Sequence, residues 1–183
     1  MSSFLAIDFE TANYNANSAC AIGLVRVENG EISHEEVHLI KPPTPEFYFT
    51  QIHGLTWDSV KESSSFGEIW PEIVPLFEDV DFLAAHNSGF DAKVLKSCCQ
   101  TFRVPMPAST FTCTVQLARK MWEVRPTKLP NVAHFLGLDL DHHDALSDSR
   151  ACANIVIAAE RDGWDFFTGF ENVGERYIAA EPQ

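Results

Sequence analysis

Two carboxylates two residues apart, Asp8 and Glu10, end the apolar run Phe4-Leu5-Ala6-Ile7-Asp8-Phe9-Glu10-Thr11. Short, rich in Phe, Leu and Ile, and free of Gly and Pro, the run predicts a β-strand. Strand alternation puts Asp8 and Glu10 on one face, about 7 Å apart, and Ile7 and Phe9 on the other. Carboxylates this close raise each other's pKa, and they stay ionised together only with positive charge between them. A divalent cation meets that requirement.

Two more acids sit on the apolar sides of predicted helices. Asp91 shares a stripe with Val94, Leu95 and Cys98, and Asp148 shares one with Ala151, Cys152, Ile155 and Ala159. Asp91 lies in a first turn, where the helix dipole favours an acid. Asp148 reads as more than one turn in, where a buried carboxylate without a partner costs several kcal/mol. If the first strand is central and both helices cross it, the four acids meet at its C-terminal end. All-oxygen ligation suits Mg²⁺ or Mn²⁺ and not zinc. Acids around two ions roughly 3.5 to 4 Å apart are an arrangement that hydrolyses phosphodiesters. Such chemistry also needs a proton acceptor, and His143, five residues before Asp148, is placed to approach the cluster. His142 beside it, with Asp139, Asp141 and Asp144, means that spacing alone does not separate a base from a surface histidine.

The elements that must position these groups follow from the pattern. Ala19 to Val27 is a second apolar strand, Glu28-Asn29-Gly30 a hairpin turn, and Glu31 to Ile40 a third strand closed by Lys41-Pro42-Pro43. A loop rich in Pro and aromatics spans Thr44 to His53, and Gly54-Leu55-Thr56 opens a short helix. Ser65-Phe66-Gly67-Glu68 has capping-box spacing, starting a helix with Ile69, Ile73, Leu76 and Phe77 on its apolar face. Pro71 is tolerable in its first turn and Pro75 bends it. Val80 to Ala85 is a fully apolar fourth strand. A helix begins after His86-Asn87-Ser88-Gly89, followed by a strand at Phe111 to Thr114 and helices at Val115 to Trp122, Leu129 to Leu136 and Ala145 to Arg161. An antiparallel meander followed by alternating helices and strands predicts an α/β fold, a mixed five-stranded sheet flanked by helices. One domain is expected over residues 1–183, with a core at about 4–162 and a C-terminal extension 163–183 that closes as a short helix before a disordered end.

The chain has 183 residues, 45% of them hydrophobic and 21% charged, enough for one well-formed core. No apolar stretch is long enough to span a bilayer, and no secretory signal is expected. Five cysteines with no C-x-x-C argue against a disulfide framework or structural zinc and favour a reducing cytoplasm. A net charge of −13 argues against coating long duplex DNA. The basic residues are nevertheless uneven: eight of thirteen lie between positions 93 and 150, and four of those fall in Arg119 to Lys128. That run is either a solvated face or a short track for an anionic substrate.

Asp8-Phe9-Glu10-Thr11, His86-Asn87-Ser88-Gly89-Phe90-Asp91 and His143-Asp144-Ala145-Leu146-Ser147-Asp148 resemble the three motifs of the DnaQ-like, DEDDh-type 3′–5′ exonucleases. The epsilon proofreading subunit of bacterial DNA polymerase III belongs to that group, and Ile52-His53-Gly54-Leu55-Thr56 resembles a loop recurrent in it. The resemblance implies an RNase H-like fold and release of mononucleotides from a single-stranded 3′ end. It implies two Mg²⁺ or Mn²⁺ ions, with Asp8, Glu10 and Asp148 holding one and Asp8 and Asp91 the other, and it selects His143 over His142 as the base. Thr11 and the His53-Gly54 loop would grip the terminal nucleotide. Asn87 and, where their faces are exposed, Phe9 and Phe90 complete the implied substrate contacts. The implied partners are nucleic-acid 3′ ends and a DNA polymerase or repair complex, with no membrane.

One departure is visible: Ala12-Asn13 stands where the family often reads Thr-Gly, and Asn is a residue that tolerates a left-handed turn. Two other functions remain open, the same chemistry on short RNA and a non-catalytic nucleic-acid or polymerase-binding module of the same fold. The second would show a missing ligand, and none is missing.

Overall fold

The computed structural model describes residues 1–168. Five strands, β1 (Phe4–Thr11), β2 (Ala19–Glu28), β3 (Glu31–Leu39), β4 (Phe82–Ala85) and β5 (Phe111–Cys113), form one sheet in the order β3-β2-β1-β4-β5. β1 is central, as its apolar composition requires. It pairs antiparallel with β2 and parallel with β4, and β4 pairs parallel with β5. The sheet is therefore mixed, as the meander-then-alternation pattern predicts.

The helices are α1 (Thr50–His53), α2 (Trp57–Val60), α3 (Phe66–Ile73), α4 (Gly89–Phe102), α5 (Thr114–Met121), α6 (Leu129–Leu136) and α7 (Ala145–Arg161). α1 is one turn inside a segment expected to be loop, closed at Gly54, whose φ of +76° favours glycine. α2 starts at an N-cap, Thr56, and α3 carries the expected capping box between Ser65 and Glu68. Pro71 falls in the second turn of α3, later than expected. Instead of bending the helix, Pro75 lies in a turn of 3₁₀ helix, Val74–Phe77, that follows its end.

Each sheet face has its own core. Leu5, Ile7 and Phe9 of β1 pack with α3 and α4 through Phe66, Ile73, Leu95 and Cys98. Phe4 and Ala6 pack with α5, α6 and α7 through Leu117, Val132, Cys152, Ile155 and Val156. The two acid-bearing helices, α4 and α7, thus cover opposite faces, where the sequence pattern only required that both cross β1. Gly163–Thr168 is non-helical, with Trp164 buried edge-on against Phe82 at 5.9 Å. The rest of the expected closing helix lies outside the described residues.

Candidate active site

Asp8 and Glu10 share the α7 face of β1, opposite Gly23 and Ala21 of β2. α7 rests directly on that part of the sheet. A β-carbon at Gly23 would lie 2.0 Å from the Ala145 carbonyl oxygen, so glycine alone lets the first turn of α7 come down at Asp8. That contact delivers Asp148, 3% exposed, to the two strand carboxylates. Oxygen atoms of Asp8, Glu10 and Asp148 lie within 4.8 Å of one another.

Asp91 arrives from the other face. The β1–β4 ladder stops at Ala6–Ala84, and the start of α4 fills the gap beyond it. There Asp91, 1% exposed, accepts the Phe9 amide on Oδ1 at 3.1 Å. The amide that β4 no longer reaches is thereby satisfied.

Asp148 sits closer to the helix start than its spacing suggested. It falls in the first turn of α7, whose N-cap Asp144 accepts the Ser147 amide. Its partners are the two histidines: Oδ2 accepts from His142 Nδ1 at 2.9 Å and from the His143 amide at 3.1 Å. His143 holds φ at +74°, an unusual conformation for a non-glycine residue. The two imidazoles stack at 3.8 Å. Asp148 Oδ1 is buried and has no hydrogen-bond partner among the described residues.

The electrostatics follow from this crowding. Burial first, and then Asp91, Asp148 and Glu10, push Asp8 well above the ordinary carboxylate range. Burial, with Asp148 and Asp91 behind it, lifts Glu10 to about 8. Asp91 is also lifted to about 8 by burial, against the pull of the Phe9 and Asp91 amides. Burial raises Asp148 too, with His142 opposing. Without a cation these groups resist ionising together. An orphaned buried oxygen in an all-carboxylate donor set fits a hard divalent ion, and Asp8, Glu10 and Asp148, with Asp91 beyond them, are the residues that could hold it.

A cleft of about 280 Å³ opens over the cluster, lined by Asp8, Phe9, Glu10, Thr11, Phe49, Ile52, His53, Phe90, His143 and Asp148. The model of the RNase T exonuclease family matches residues 5–156. This chain belongs to that family. Among curated relatives, the PolC-type DNA polymerase III of Thermotoga maritima is 29% identical over 158 residues, 84% of this chain and 12% of the relative. The enzyme of the same name from Clostridium perfringens is 27% identical, over 84% of this chain and 11% of that one. The chain thus spans about an eighth of the first of these relatives. Among solved structures, the nuclease domain of 3′hExo, a DEDDh family member bound to rAMP, superposes with a TM-score of 0.76 at 22% identity, over 88% of this chain and 93% of that one. Exonuclease X in complex with 5′ overhanging duplex DNA gives a TM-score of 0.71 at 24% identity, over 88% and 94%. Both share the RNase H-like exonuclease fold.

Within this member of the family, the remaining sequence candidates divide. His53 Nε2 lies 3.1 Å from the Thr11 carbonyl, while its Nδ1 accepts the Leu55 amide at 3.1 Å. A carbonyl only accepts, so Nε2 carries the proton, and both nitrogens are committed to holding the Thr50–Leu55 loop over β1. Phe90 is 44% exposed at the cleft wall. Phe9 lines the cleft, but its side chain is 3% exposed and packs at 6.4 Å from Phe66, so the condition for stacking on it is not met. Asn87 does not line the cleft. Its φ is +68° and its carbonyl accepts the Phe90 amide, so it shapes the turn that presents Phe90. Asn13 avoids the left-handed conformation anticipated for it. Its side chain holds the turn instead, accepting from the Asn15 amide and donating to the Glu46 carbonyl.

Sequence reasoning missed Phe49 and Ile52 as cleft walls, although Ile52 opens the loop motif and Phe49 stands in the aromatic-rich segment before it. It also missed Gly23, for which a glycine inside an apolar strand was the available signal.

Proposed function

We propose that this chain is a divalent-metal-dependent 3′–5′ exonuclease that releases nucleoside monophosphates from the 3′ end of single-stranded DNA. The observation that carries this reading is the meeting of Asp8, Glu10 and Asp148 within 4.8 Å, in a cleft that also admits His143. Mg²⁺ or Mn²⁺ held by these carboxylates and Asp91 would acidify the attacking water and offset charge on the phosphate. Asp8, on the central strand, faces the Asp148 side directly and the Asp91 side through the β1–β4 gap, which suits a shared ligand. His143 accepts the water's proton, since its imidazole lines the cleft and burial lowers its pKa so that the neutral base is the resting form. His53 is excluded from that role by its two structural hydrogen bonds. Thr11 and His53 line the cleft where the terminal nucleotide rests, Gly54, outside that lining, closes the turn that carries His53, and Phe90 offers an apolar face to the base.

A polymerase III relative favours DNA as the substrate and a polymerase as a partner, and five buried free cysteines suit a reducing cytoplasm. RNA is the second reading, favoured by the fold's likeness to a nuclease domain bound to rAMP. Incubation with Mn²⁺ and matched 5′-labelled DNA and RNA strands tests both. The expected result is a ladder shortened from the 3′ end, stronger for DNA. No shortening of either strand, or an equal ladder from Asp8→Asn, would refute the proposal.

A further inference from the structure

Four basic side chains fall in the ten residues Arg119–Lys128 of a chain with a net charge of −13, and Arg119, Lys120, Arg125 and Lys128 are all exposed. α5 starts where β5 ends and runs away from the C-terminal end of the sheet, and the loop after it turns back. Thr127 fixes the return. Its hydroxyl accepts from Arg119 Nε at 3.0 Å and donates to the Val124 carbonyl at 2.9 Å. Its carbonyl lies 3.1 Å from His86 Nε2. His86 follows β4 directly, and β4 and β5 are parallel, so the returning loop stands at the same end of the sheet as the carboxylates.

Ion pairs hold some of the chain's other bases. Arg150 pairs with Glu35, Lys61 with Asp58, and Arg26 with Glu28. Arg125 and Lys128 form no ion pair among the described residues, and Glu123 is the one acid in the run. On so acidic a surface, Arg125 and Lys128, at the sheet end that carries the carboxylates, provide local positive potential. Lys93, Lys96, Arg103 and Arg161 are exposed and form no ion pair among the described residues either, but only the run from Arg119 packs four bases into ten residues. Trp122 of this segment and Phe135 of α6, the latter 55% exposed, form an aromatic pair at 6.2 Å beside the bases. Basic residues interleaved with aromatic ones suit a nucleic-acid backbone.

We propose that the Arg119–Lys128 segment is a phosphate-binding arm that holds the nucleic-acid strand outside the cleft, on the 5′ side of the scissile bond. The proposal rests on the exonuclease reading of the cleft. A single nucleotide fills the cleft and leaves the arm unused, whereas a longer strand engages both. Affinity then grows with strand length and falls with salt, because each neutralised phosphate releases counterions, with a log–log slope of about −0.7 per contact for single strands.

The test compares the wild-type chain with the double variant Arg125→Ala/Lys128→Ala on two substrates in Mn²⁺. One is the nitrophenyl ester of a nucleoside monophosphate, confined to the cleft; the other is a single strand of roughly twenty nucleotides, long enough for several phosphate contacts. In the variant, KM for the strand is expected to rise about 5- to 20-fold, and the salt slope to become shallower by about 1.4 for two lost contacts. Ester kcat and KM stay at wild-type values, which also shows that the variant folds. Unchanged strand KM and slope would overturn the arm, as would an equal loss on the ester. Strand binding is read in parallel by fluorescence anisotropy. A wild-type chain that binds the strand through these bases but turns over neither substrate would instead overturn the exonuclease reading.

Discussion

Gly23 and Ala145 touch backbone to backbone: a β-carbon at position 23 would meet the Ala145 carbonyl oxygen at 2.0 Å and Ser149 Oγ at 2.7 Å. Gly23 is also the cross-strand partner of Asp8. One contact therefore sets how close Asp148 comes to the strand carboxylates. Gly23→Ala must push the first turn of α7 outward. The expected result is a loss of about 1–3 kcal/mol in stability together with weakened divalent-ion binding, checked by thermal melts with and without Mn²⁺. A variant that binds the ion as tightly as wild type would show that α7 does not depend on this contact.

Burial, with the charge of Asp148 adding to it, holds Glu10 and Asp91 near a pKa of about 8, and burial with the charges of Asp91, Asp148 and Glu10 raises Asp8, so removing Asp8 or Asp148 relieves the repulsive part. Asp8→Asn and Asp148→Asn should therefore melt no lower than wild type in chelator. In excess divalent ion, wild type should gain stability, about 2.7 kcal/mol at a hundredfold excess over Kd, and the variants little. Activity should drop by roughly 10³-fold or more, the equivalent of several kcal/mol of lost transition-state stabilisation. Melting curves and initial rates measured on the same samples decide this.

His142 and His143 stack and both bond Asp148 Oδ2, yet only His143 lines the cleft. His143→Ala should reduce kcat by about 10²- to 10⁴-fold with divalent-ion affinity retained. His142→Ala should have a smaller effect on rate, because it orients Asp148 without reaching the water. Steady-state kinetics on both variants will rank them, and the opposite order would transfer the base to His142.

His86 gives a pH signature on stability. Burial, with His142 and Arg119 adding to it, pushes its pKa down to about 4. The unfolded chain takes up the proton near pH 6.5, so between about 6.5 and 4 the unfolded state binds more protons and stability falls as pH falls. His86→Gln should lose this component. The measurement is the difference between the two proteins in melting temperature across that window, and parallel curves would count against a neutral, half-buried His86.

Much of this was legible in the residues. Period-two alternation located Asp8 and Glu10 on one face of β1, and helical periodicity marked Asp91 and Asp148 as acids on apolar faces. The bounds of α6 and α7 stand where the sequence pattern put them. Less legible were the turns near proline and glycine. Whether Pro75 bends α3 or follows its end depends on how the 3₁₀ turn packs Phe77 into the core. Asn13 kept its turn through hydrogen bonds to Asn15 and Glu46, and the second of these is formed with a residue distant in sequence.

Local pattern, by itself, determined which residues are strand or helix, which side of each is apolar, and which acids are out of place there. Only the tertiary structure decided how those acids meet: α4 and α7 cover opposite faces, and Asp91 joins the others through the gap where the β1–β4 ladder ends. The reason is physical. Side-chain direction along one element follows from its own repeat, but the approach of two elements is set by what lies between them, here a Phe9 amide that β4 leaves to Asp91 and a missing side chain at Gly23.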